Sequence, residues 1–171
     1  MRVDRLVVLD TNVYLHHPQK LEEIDLAPAL GTRHDPICLL VPMIVVDELD
    51  KLKQHSKVHN RWRATYTTAV LDRVVCMPDG GGMLRPGDFT RLISDGVARG
   101  EVRVQIIFDP PGHVRHDIPD EEIIDRALSA ELLAGRPVTM VTYDTGMAMR
   151  AKAAGLQVVK LEHQLGDEPK Q

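Results

Sequence analysis

The sequence is poor in cysteine and has no cysteine pattern. Its two cysteines, Cys38 and Cys76, stand in apolar surroundings and lack the CxxC spacing of redox or zinc motifs. The eight histidines are scattered, without the paired spacing that indicates a zinc site. We therefore predict that both cysteines are buried free thiols, which is typical of a protein in the reducing cytoplasm.

Long hydrophobic runs are also lacking. No apolar stretch approaches the roughly 18 residues that a membrane-spanning helix requires. The first segment, MRVDRLVVLDTN, carries an acidic residue at Asp4, and its apolar run is too short for the core of a secretory signal. We expect a cytoplasmic location and no membrane partner.

Positive charge is not in excess either. The 171 residues include 25 acidic and 21 basic side chains, which gives a formal net charge of −4. This balance argues against a protein that binds nucleic acid through bulk positive charge. It leaves a nuclease open, because the metal site of such an enzyme concentrates acidic side chains that the cation partly neutralises.

What the chain does contain is an alternation of short apolar runs and helical patterns. The first run, at residues 6–9, is flanked by charged and polar residues and predicts a strand buried on both faces. Further strands are predicted at residues 37–41, 102–108, 138–142 and 156–161. Helices are predicted at residues 13–26 (in pieces), 43–53, 60–77, 120–133 and 147–154. Strands separated by helices are typical of a single α/β domain with a mostly parallel sheet.

Two stretches have no clear pattern of this kind. The glycine run at residues 80–82 follows Pro78 and Asp79, without a strand before it or a Lys-Ser or Lys-Thr pair after it. It therefore fails the pattern of a phosphate-binding loop, and we interpret it as a flexible loop. Residues 89–100 favour neither a helix nor a strand.

Acidic residues recur where the predicted strands end. Asp10 and Asp144 each follow a strand, Asp120 begins a helix, and Glu48 lies in the first turns after the second strand. Open parallel sheets bind their ligands beyond the carboxyl ends of the strands. Because clustered carboxylates repel each other, their convergence is better explained by a hard divalent cation, which prefers oxygen ligands, than by packing. Such a cation activates water for attack on a phosphodiester.

Four segments resemble a PIN domain in their order and approximate spacing: VVLDTN, VPMIVVDELDKLK, PDEEIIDRAL and VTYDTGMAMRAKAAGL. The resemblance covers essentially the whole chain and is closest to the larger PIN domains with an ELDKLK helix, such as those fused to PhoH-type ATPases. It implies a three-layer α/β/α sandwich with a central, mostly parallel sheet over residues 1–162, followed by a polar tail at 163–171. It also implies cleavage of phosphodiester bonds, generally in single-stranded RNA, that depends on Mg²⁺ or Mn²⁺. Many members of the family are dimers, and many bacterial ones are toxins paired with an antitoxin.

The resemblance also assigns site residues. It carries the acidic quartet of the family onto Asp10, Glu48, Asp120 and Asp144. It gives Asn12 the role of supporting Asp10, and Thr142 the role of orienting the metal water or Asp144.

The third ligand of the quartet has several candidates, of which the resemblance selects Asp120. It is selected because Ile123 and Ala127 follow three and seven residues later, as in the family, but Pro119 replaces the usual Asn before it. The alternatives for this ligand are Asp117, Glu121 and Asp125.

Each acidic residue also has a purely structural interpretation. Asp10 and Asp144 can cap the helices that follow them, and Asp120 can face a helix dipole. Glu48 can pair with Lys51 on the surface of its helix. These would be four independent accidents, whereas one metal site explains all four residues.

A basic stretch precedes and enters the longest predicted helix. We predict that its cations bind substrate phosphates: Lys51, Lys53, Lys57, Arg61 and Arg63. Trp62 and Tyr66 are interleaved with them and would stack on bases of a single strand. The alternative is a solvated helix face with the aromatic residues in the core, and for Trp62 we favour the core. We interpret His113 and His116 as exposed loop residues.

The first hypothesis is a metal-dependent endoribonuclease, with single-stranded RNA as substrate. The second is a PIN-like module that binds RNA or a protein partner without cutting. Intact carboxylates at all four positions favour the enzyme. A phosphatase of the haloacid dehalogenase type would need a second Asp where Asn12 stands. A homodimer, an antitoxin or an RNA-processing partner would fit the resemblance.

Overall fold

The computed structural model describes residues 4–90 and 99–163. Within these ranges the chain forms six strands and five helices. The strands are β1 (Arg5–Leu9), β2 (Ile37–Pro42), β3 (Gly81–Arg85), β4 (Val102–Ile107), β5 (Val138–Thr142) and β6 (Gln157–Lys160). The helices are α1 (Thr11–His16), α2 (Met43–Leu52), α3 (Val58–Val74), α4 (Pro119–Ala134) and α5 (Thr145–Ala153).

The strands form one mostly parallel sheet in the order β3-β4-β2-β1-β5-β6, with β3 antiparallel to β4. From β1 the sheet extends in one direction through β2 to β4 and in the other through β5 to β6. Because crossovers between parallel strands are right-handed, these two directions place their helices on opposite faces. Helices α1, α2 and α3 contact one another and α4 contacts α5, while α2 also contacts α4. The predicted three-layer α/β/α fold is confirmed.

Strand β1 lies in the interior of the sheet, between β2 and β5. Val7, Val8 and Leu9 have no exposed surface. A strand covered on both faces requires apolar residues at successive positions, which is why this run does not alternate with polar residues. The next residue, Asp10, therefore emerges at the middle of the carboxyl edge of the sheet.

The prediction of a flexible loop at residues 80–82 is wrong. Gly81 and Gly82 begin β3, which pairs with β4. A Cβ at Gly82 would lie 2.0 Å from the carbonyl oxygen of Val74 at the end of α3, so no side chain fits there. Gly80 has a φ of +89°, in the left-handed region that favours glycine. These glycines turn the chain and bring β3 against the end of α3.

Other predictions differ in detail. Both thiols are free, but Cys38 is half-buried and Cys76 is exposed, so the prediction of two buried thiols is wrong. Of the unassigned stretch 89–100, residues 91–98 lie outside the described residues, as do residues 164–171 of the tail. Among the helices that the structure describes, none is long and apolar enough to cross a membrane.

Candidate metal centre

Four acidic side chains approach the carboxyl edge of the sheet from four different elements. Asp10 follows β1 and Asp144 follows β5, and each is the N-cap of the next helix. Glu48 lies on α2, and Asp120 lies in the first turn of α4. The chain leaves β1 toward one face of the sheet and leaves β5 toward the other. Asp10 and Asp144 therefore flank the point where an open α/β sheet forms its ligand crevice.

The Asp10 carboxylate is held at both oxygens. It is buried, with 5% of its surface exposed. Oδ1 accepts the backbone N–H of Thr11 at 2.8 Å, and Oδ2 accepts the hydroxyl of Thr142 at 2.8 Å. The capping contact and the contact across to β5 fix the same side chain, so the structural and functional interpretations of Asp10 are compatible.

Thr142 joins two of the acidic residues. While its hydroxyl donates to Asp10, the same oxygen accepts the backbone N–H of Asp144 at 3.0 Å. Asp144 is exposed, and its Oδ1 accepts the N–H of Met147 at 2.7 Å. Asn12 accepts the backbone N–H of Tyr143 at 3.4 Å, which joins α1 to the end of β5. Thr142 thus orients the Asp10 side chain and the Asp144 backbone.

Glu48 and Asp120 complete the group from the helices. Glu48 is half-buried, and its Oε1 accepts the hydroxyl of Thr11 at 3.3 Å. Asp120 is half-buried as well, and its Oδ2 lies 3.4 Å from Nη1 of Arg150 on α5. Sequence reasoning missed Arg150. The sequence carries no local signal for this contact, since Arg150 lies 30 residues beyond Asp120.

The electrostatics link the carboxylates to one another. Burial raises the pKa of Asp10 from its ordinary value of 3.8 to about 6, and the charges of Asp120 and Asp144 add to this effect. Burial also raises the pKa of Glu48 from 4.5 to about 6, with Asp10 and Asp120 acting in the same direction. Burial and the charge of Asp144 raise the pKa of Asp120, which Arg150 opposes. The charges of Asp10, Asp120 and Asp144 therefore each act on at least one other member of the quartet, and Glu48 is acted on by two of them.

This donor set fits a hard divalent cation. Its members are all oxygen donors, as Mg²⁺ and Mn²⁺ prefer. The raised pKa values of Asp10 and Glu48 express a cost of holding negative charge together, and a cation would offset that cost. Asp10, Glu48, Asp120 and Asp144 are therefore the residues that could hold the metal.

Comparison with known protein families agrees with this arrangement of carboxylates. The family model described as PIN domain matches residues 7–162. The chain belongs to the PIN domain family. PIN domains are generally metal-dependent nucleases. All four carboxylates of this chain lie within the residues that the family model matches.

A structural neighbour supports the fold of this PIN domain. It is a domain of a functionally unknown protein from Methanocaldococcus jannaschii, with a TM-score of 0.54 and 13% sequence identity over 98% of each chain. At this identity the similarity shows the fold alone. No match was found among the curated proteins.

The alternative ligands behave differently from Asp120 in this PIN domain. Asp117 and Glu121 are exposed. Asp125 pairs with Arg126 at 2.9 Å, one turn further along α4. Asp120 is the candidate among them whose charge acts on Asp10 and Glu48. The geometry therefore favours Asp120.

A second polar group lies further along α4 than Asp120 and includes the loop before that helix. Among the described residues, His113, Glu122 and Asp125 offer three ligand atoms within 4.8 Å of one another. Glu122 is fully buried and accepts from Nε2 of His113 at 2.6 Å and from the backbone N–H of His116 at 3.0 Å. Arg126 pairs with Asp125 and places its Nε 3.8 Å from Glu122, so cationic charge is already present. We interpret this group as the anchor that holds the loop before α4 against that helix.

The predicted substrate-binding cations occupy different surroundings. Lys51, Lys57 and Arg61 are exposed, and Lys53 pairs with Asp50 at 2.7 Å. The prediction that Arg63 binds substrate is wrong. Arg63 is buried, with 5% of its surface exposed, and its guanidinium donates to the carbonyl oxygens of Tyr14 at 3.1 Å and Gln19 at 2.9 Å.

The favoured core position of Trp62 is also wrong. Half of its surface is exposed. Its ring stacks on Tyr66, with the centroids 5.4 Å apart and the planes 16° from parallel. The buried residues of α3 are instead Arg63, Ala64, Thr67, Thr68, Val70 and Leu71. The aromatic pair therefore lies on the surface of the helix.

Proposed function

We propose that this PIN domain is a Mg²⁺- or Mn²⁺-dependent endoribonuclease that cleaves single-stranded RNA. The observation that carries the proposal is the placement of Asp10, Glu48, Asp120 and Asp144 at the carboxyl edge of the sheet, where Thr11 bonds to both Asp10 and Glu48 and Thr142 bonds to both Asp10 and Asp144. The carboxylates differ in burial, from Asp10 beneath to Asp144 at the surface. The site therefore opens toward solvent, where a polynucleotide could reach it.

The residues of the chain contribute placement rather than a covalent nucleophile. Thr142 and the N–H of Thr11 hold Asp10 in one orientation. Thr11 also holds Glu48, so one turn of α1 positions two ligands. A bound cation supplies Lewis acidity, which activates water and stabilises charge on a phosphate oxygen. Arg150 is exposed beside Asp120 and would contact the same phosphate.

A second candidate function is a PIN-like module that binds RNA or a protein partner without cutting it. The contact between Arg150 and Asp120 favours this alternative, because the guanidinium partly neutralises one ligand of the quartet. In the nuclease, Asp120 would be available as a ligand of the cation, whereas in the binding module it would stay paired with Arg150. A cytoplasmic location, a homodimer, and an antitoxin or RNA-processing partner stay predictions from the sequence.

The test is cleavage of an end-labelled single-stranded RNA by purified protein with Mn²⁺, Mg²⁺ or EDTA. Asp10→Asn removes the buried ligand, and Asp117→Asn is the matched control, because Asp117 is an exposed carboxylate near the same edge. We expect metal-dependent cleavage that is lost in Asp10→Asn and kept in Asp117→Asn. Cleavage that survives Asp10→Asn would exclude this site, and RNA binding without cleavage would favour the second candidate.

A further inference from the structure

Six aromatic and imidazole rings form a path over the surface beside the carboxylates. We call them the ring track: Tyr143, His163, His16, His59, Trp62 and Tyr66. Tyr143 stacks on His163 with centroids 4.3 Å apart, and His163 meets the edge of His16 at 6.4 Å. His16 stacks on His59 at 6.4 Å, and Trp62 stacks on Tyr66 at 5.4 Å. His59 and Trp62 are three residues apart on α3, the spacing of neighbours on one helix face.

One end of the ring track lies at the metal centre. Tyr143 directly precedes Asp144, and its backbone N–H donates to Asn12, two residues after Asp10. His16 is the last residue of α1, the helix that Asp10 caps. The first rings therefore stand on the same two segments that supply the ligands from β1 and β5.

The rings are accessible to a ligand. Trp62 has 50% of its surface exposed, and His16, His59 and His163 are exposed as well. The polar contacts of two rings hold them to the domain: Nε2 of His59 lies 3.0 Å from the carbonyl oxygen of Leu15, and the hydroxyl of Tyr66 donates to Glu22. Flat rings that are exposed and held in place can stack on the bases of a ligand. Aromatic residues that only fill a core would be buried.

Positive charge accompanies the rings. Nζ of Lys20 lies 5.8 Å from the centroid of Trp62 and 5.2 Å from that of Tyr66. Lys57 and Arg61 are exposed on either side of His59 in the sequence. Two carboxylates lie near Tyr66: Glu22 pairs with Arg73 and accepts the hydroxyl of Tyr66, and Glu23 is exposed.

The electrostatics of His16 point the same way. Burial lowers the pKa of this imidazole first, and its neighbours His59, His163, Arg63 and Lys57 lower it further. Arg63 and Lys57 carry permanent positive charge, so the middle of the ring track lies beside charge that favours an anion. Exposed rings can stack on bases, and the cations between them can bind phosphates. This combination fits a single strand, because the base faces of double-stranded nucleic acid are not accessible.

We propose that the ring track binds a single-stranded RNA on one side of the scissile bond, with bases stacked on Trp62 and the imidazoles. Lys57 and Arg61 contact its phosphates. This inference rests on the proposed function, because it assigns the track to the strand that is cut at the carboxylates. It adds to that function a substrate subsite about six rings long, running from the metal centre to the middle of α3.

The experiment uses Trp62, the sole tryptophan of the chain, as a fluorescent reporter. The full-length protein is titrated in EDTA with a dodecamer of adenylate and with an abasic strand of the same length. We expect the dodecamer to quench the fluorescence, and the abasic strand to bind at least about tenfold more weakly without quenching, because it offers phosphates but no bases. Similar binding of the two strands, with no quenching, would overturn the proposal.

Variants test the same point by anisotropy of a labelled dodecamer. We expect Trp62→Ala to weaken binding about 5- to 100-fold and Trp62→Phe, which keeps a stacking face, to bind within a few-fold of the natural protein. Phe89→Ala is the matched control, because Phe89 is similarly exposed, at 48%, and packs on His34 before β2, at the opposite edge of the sheet. Equal affinity of Trp62→Ala and the natural protein would overturn the proposal.

None of these measurements requires cleavage, so the two proposals fail separately. RNA that quenches Trp62 but is not cut with either metal would contradict the nuclease and support the ring track. RNA that is cut, yet neither quenches Trp62 nor loses affinity in Trp62→Ala, would contradict the ring track alone.

Discussion

The Thr142 hydroxyl donates to Asp10 across the boundary between β5 and β1, with 2.8 Å between Oγ1 and Oδ2. The same oxygen accepts the N–H of Asp144. One fully buried hydroxyl therefore sets the relative positions of two acidic residues that the sheet brings together.

Replacing Thr142 with valine tests this contact, because valine keeps the shape and removes the hydroxyl. The hydrogen bond from Thr142 lowers the pKa of Asp10, so its loss should raise that pKa further. We expect Mn²⁺ affinity at neutral pH to fall by about 10- to 100-fold, the usual effect of losing a residue that orients a metal ligand. Isothermal titration calorimetry measures the affinity.

Thr139→Val is the control, since Thr139 lies on the same strand and bonds to Gln157 at an exposed position, at 3.3 Å. It should leave Mn²⁺ binding unchanged. An unchanged affinity in Thr142→Val would show that this hydroxyl does not orient Asp10 for a metal.

The raised pKa of Asp10 predicts how stability depends on pH. In the folded protein the pKa is about 6, against an ordinary value of 3.8. Between these values the folded state binds more protons than the unfolded state, so the free energy of unfolding falls as pH rises from about 4 to about 7. Asp10→Asn removes this charge and should stabilise the metal-free protein at pH 7 by about 1–3 kcal/mol, with little effect at pH 4.

Urea unfolding in EDTA at several pH values checks this prediction. Glu48 adds a dependence of the same sign, because its pKa is also raised to about 6. Asp117→Asn should leave the profile unchanged. Destabilisation of the metal-free protein by Asp10→Asn at pH 7 would contradict the prediction. It would mean that the charged carboxylate stabilises the folded state, for example through a positive charge, and that burial is not the dominant effect.

The sequence alone predicted Asp10 and Asp144 best, because both follow strands of clear pattern, whereas the resemblance selected Asp120 by the spacing to Ile123 and Ala127. Residues 6–9 and 138–142 form continuous apolar runs, and each ends at an Asp. Parallel strands bring those ends to one edge, so the convergence of Asp10 and Asp144 follows from topology. Asp120 is placed by the acidic first turn of an evident helix.

The buried face of α3 could not be predicted in the same way. It consists largely of Ala and Thr residues, whereas the aromatic residues that suggest a core are exposed. Arg63 is buried because its guanidinium satisfies carbonyl oxygens at and beyond the last turn of α1, a long-range contact without a local signal. Gly82 is likewise explained by the proximity of Val74, which only the tertiary structure shows.

Glu122 should matter for stability. It is fully buried, and its carboxylate binds Nε2 of His113 and the backbone N–H of His116. Glu122→Gln would place an amide donor against one of these two donors and would remove the charge 3.8 Å from Arg126 Nε, which keeps its pair with Asp125. We expect a cost of about 2–4 kcal/mol in the free energy of unfolding. Urea unfolding measures the change.

Its neighbour provides the control. Glu121→Gln alters an exposed side chain and should change stability by less than about 0.5 kcal/mol. Zn²⁺ or Mn²⁺ that stabilised the natural protein through Glu122 and not through Asp10 would contradict the anchoring role and make the group of His113, Glu122 and Asp125 a metal site.

Arg150 should oppose metal binding and assist cleavage. Its Nη1 lies 3.4 Å from Asp120, in an exposed position, so it competes weakly with a cation for that carboxylate. Arg150→Gln should therefore tighten Mn²⁺ binding by about 2- to 5-fold, a change within the range of an exposed ion pair. Cleavage should nevertheless be slower, because the guanidinium that would contact the phosphate is lost.

Lys152→Gln is the control, because it changes an exposed side chain on the same helix. It should change neither the Mn²⁺ affinity nor the cleavage rate. Faster cleavage in Arg150→Gln would contradict the assisting role and would mean that the guanidinium only shields Asp120.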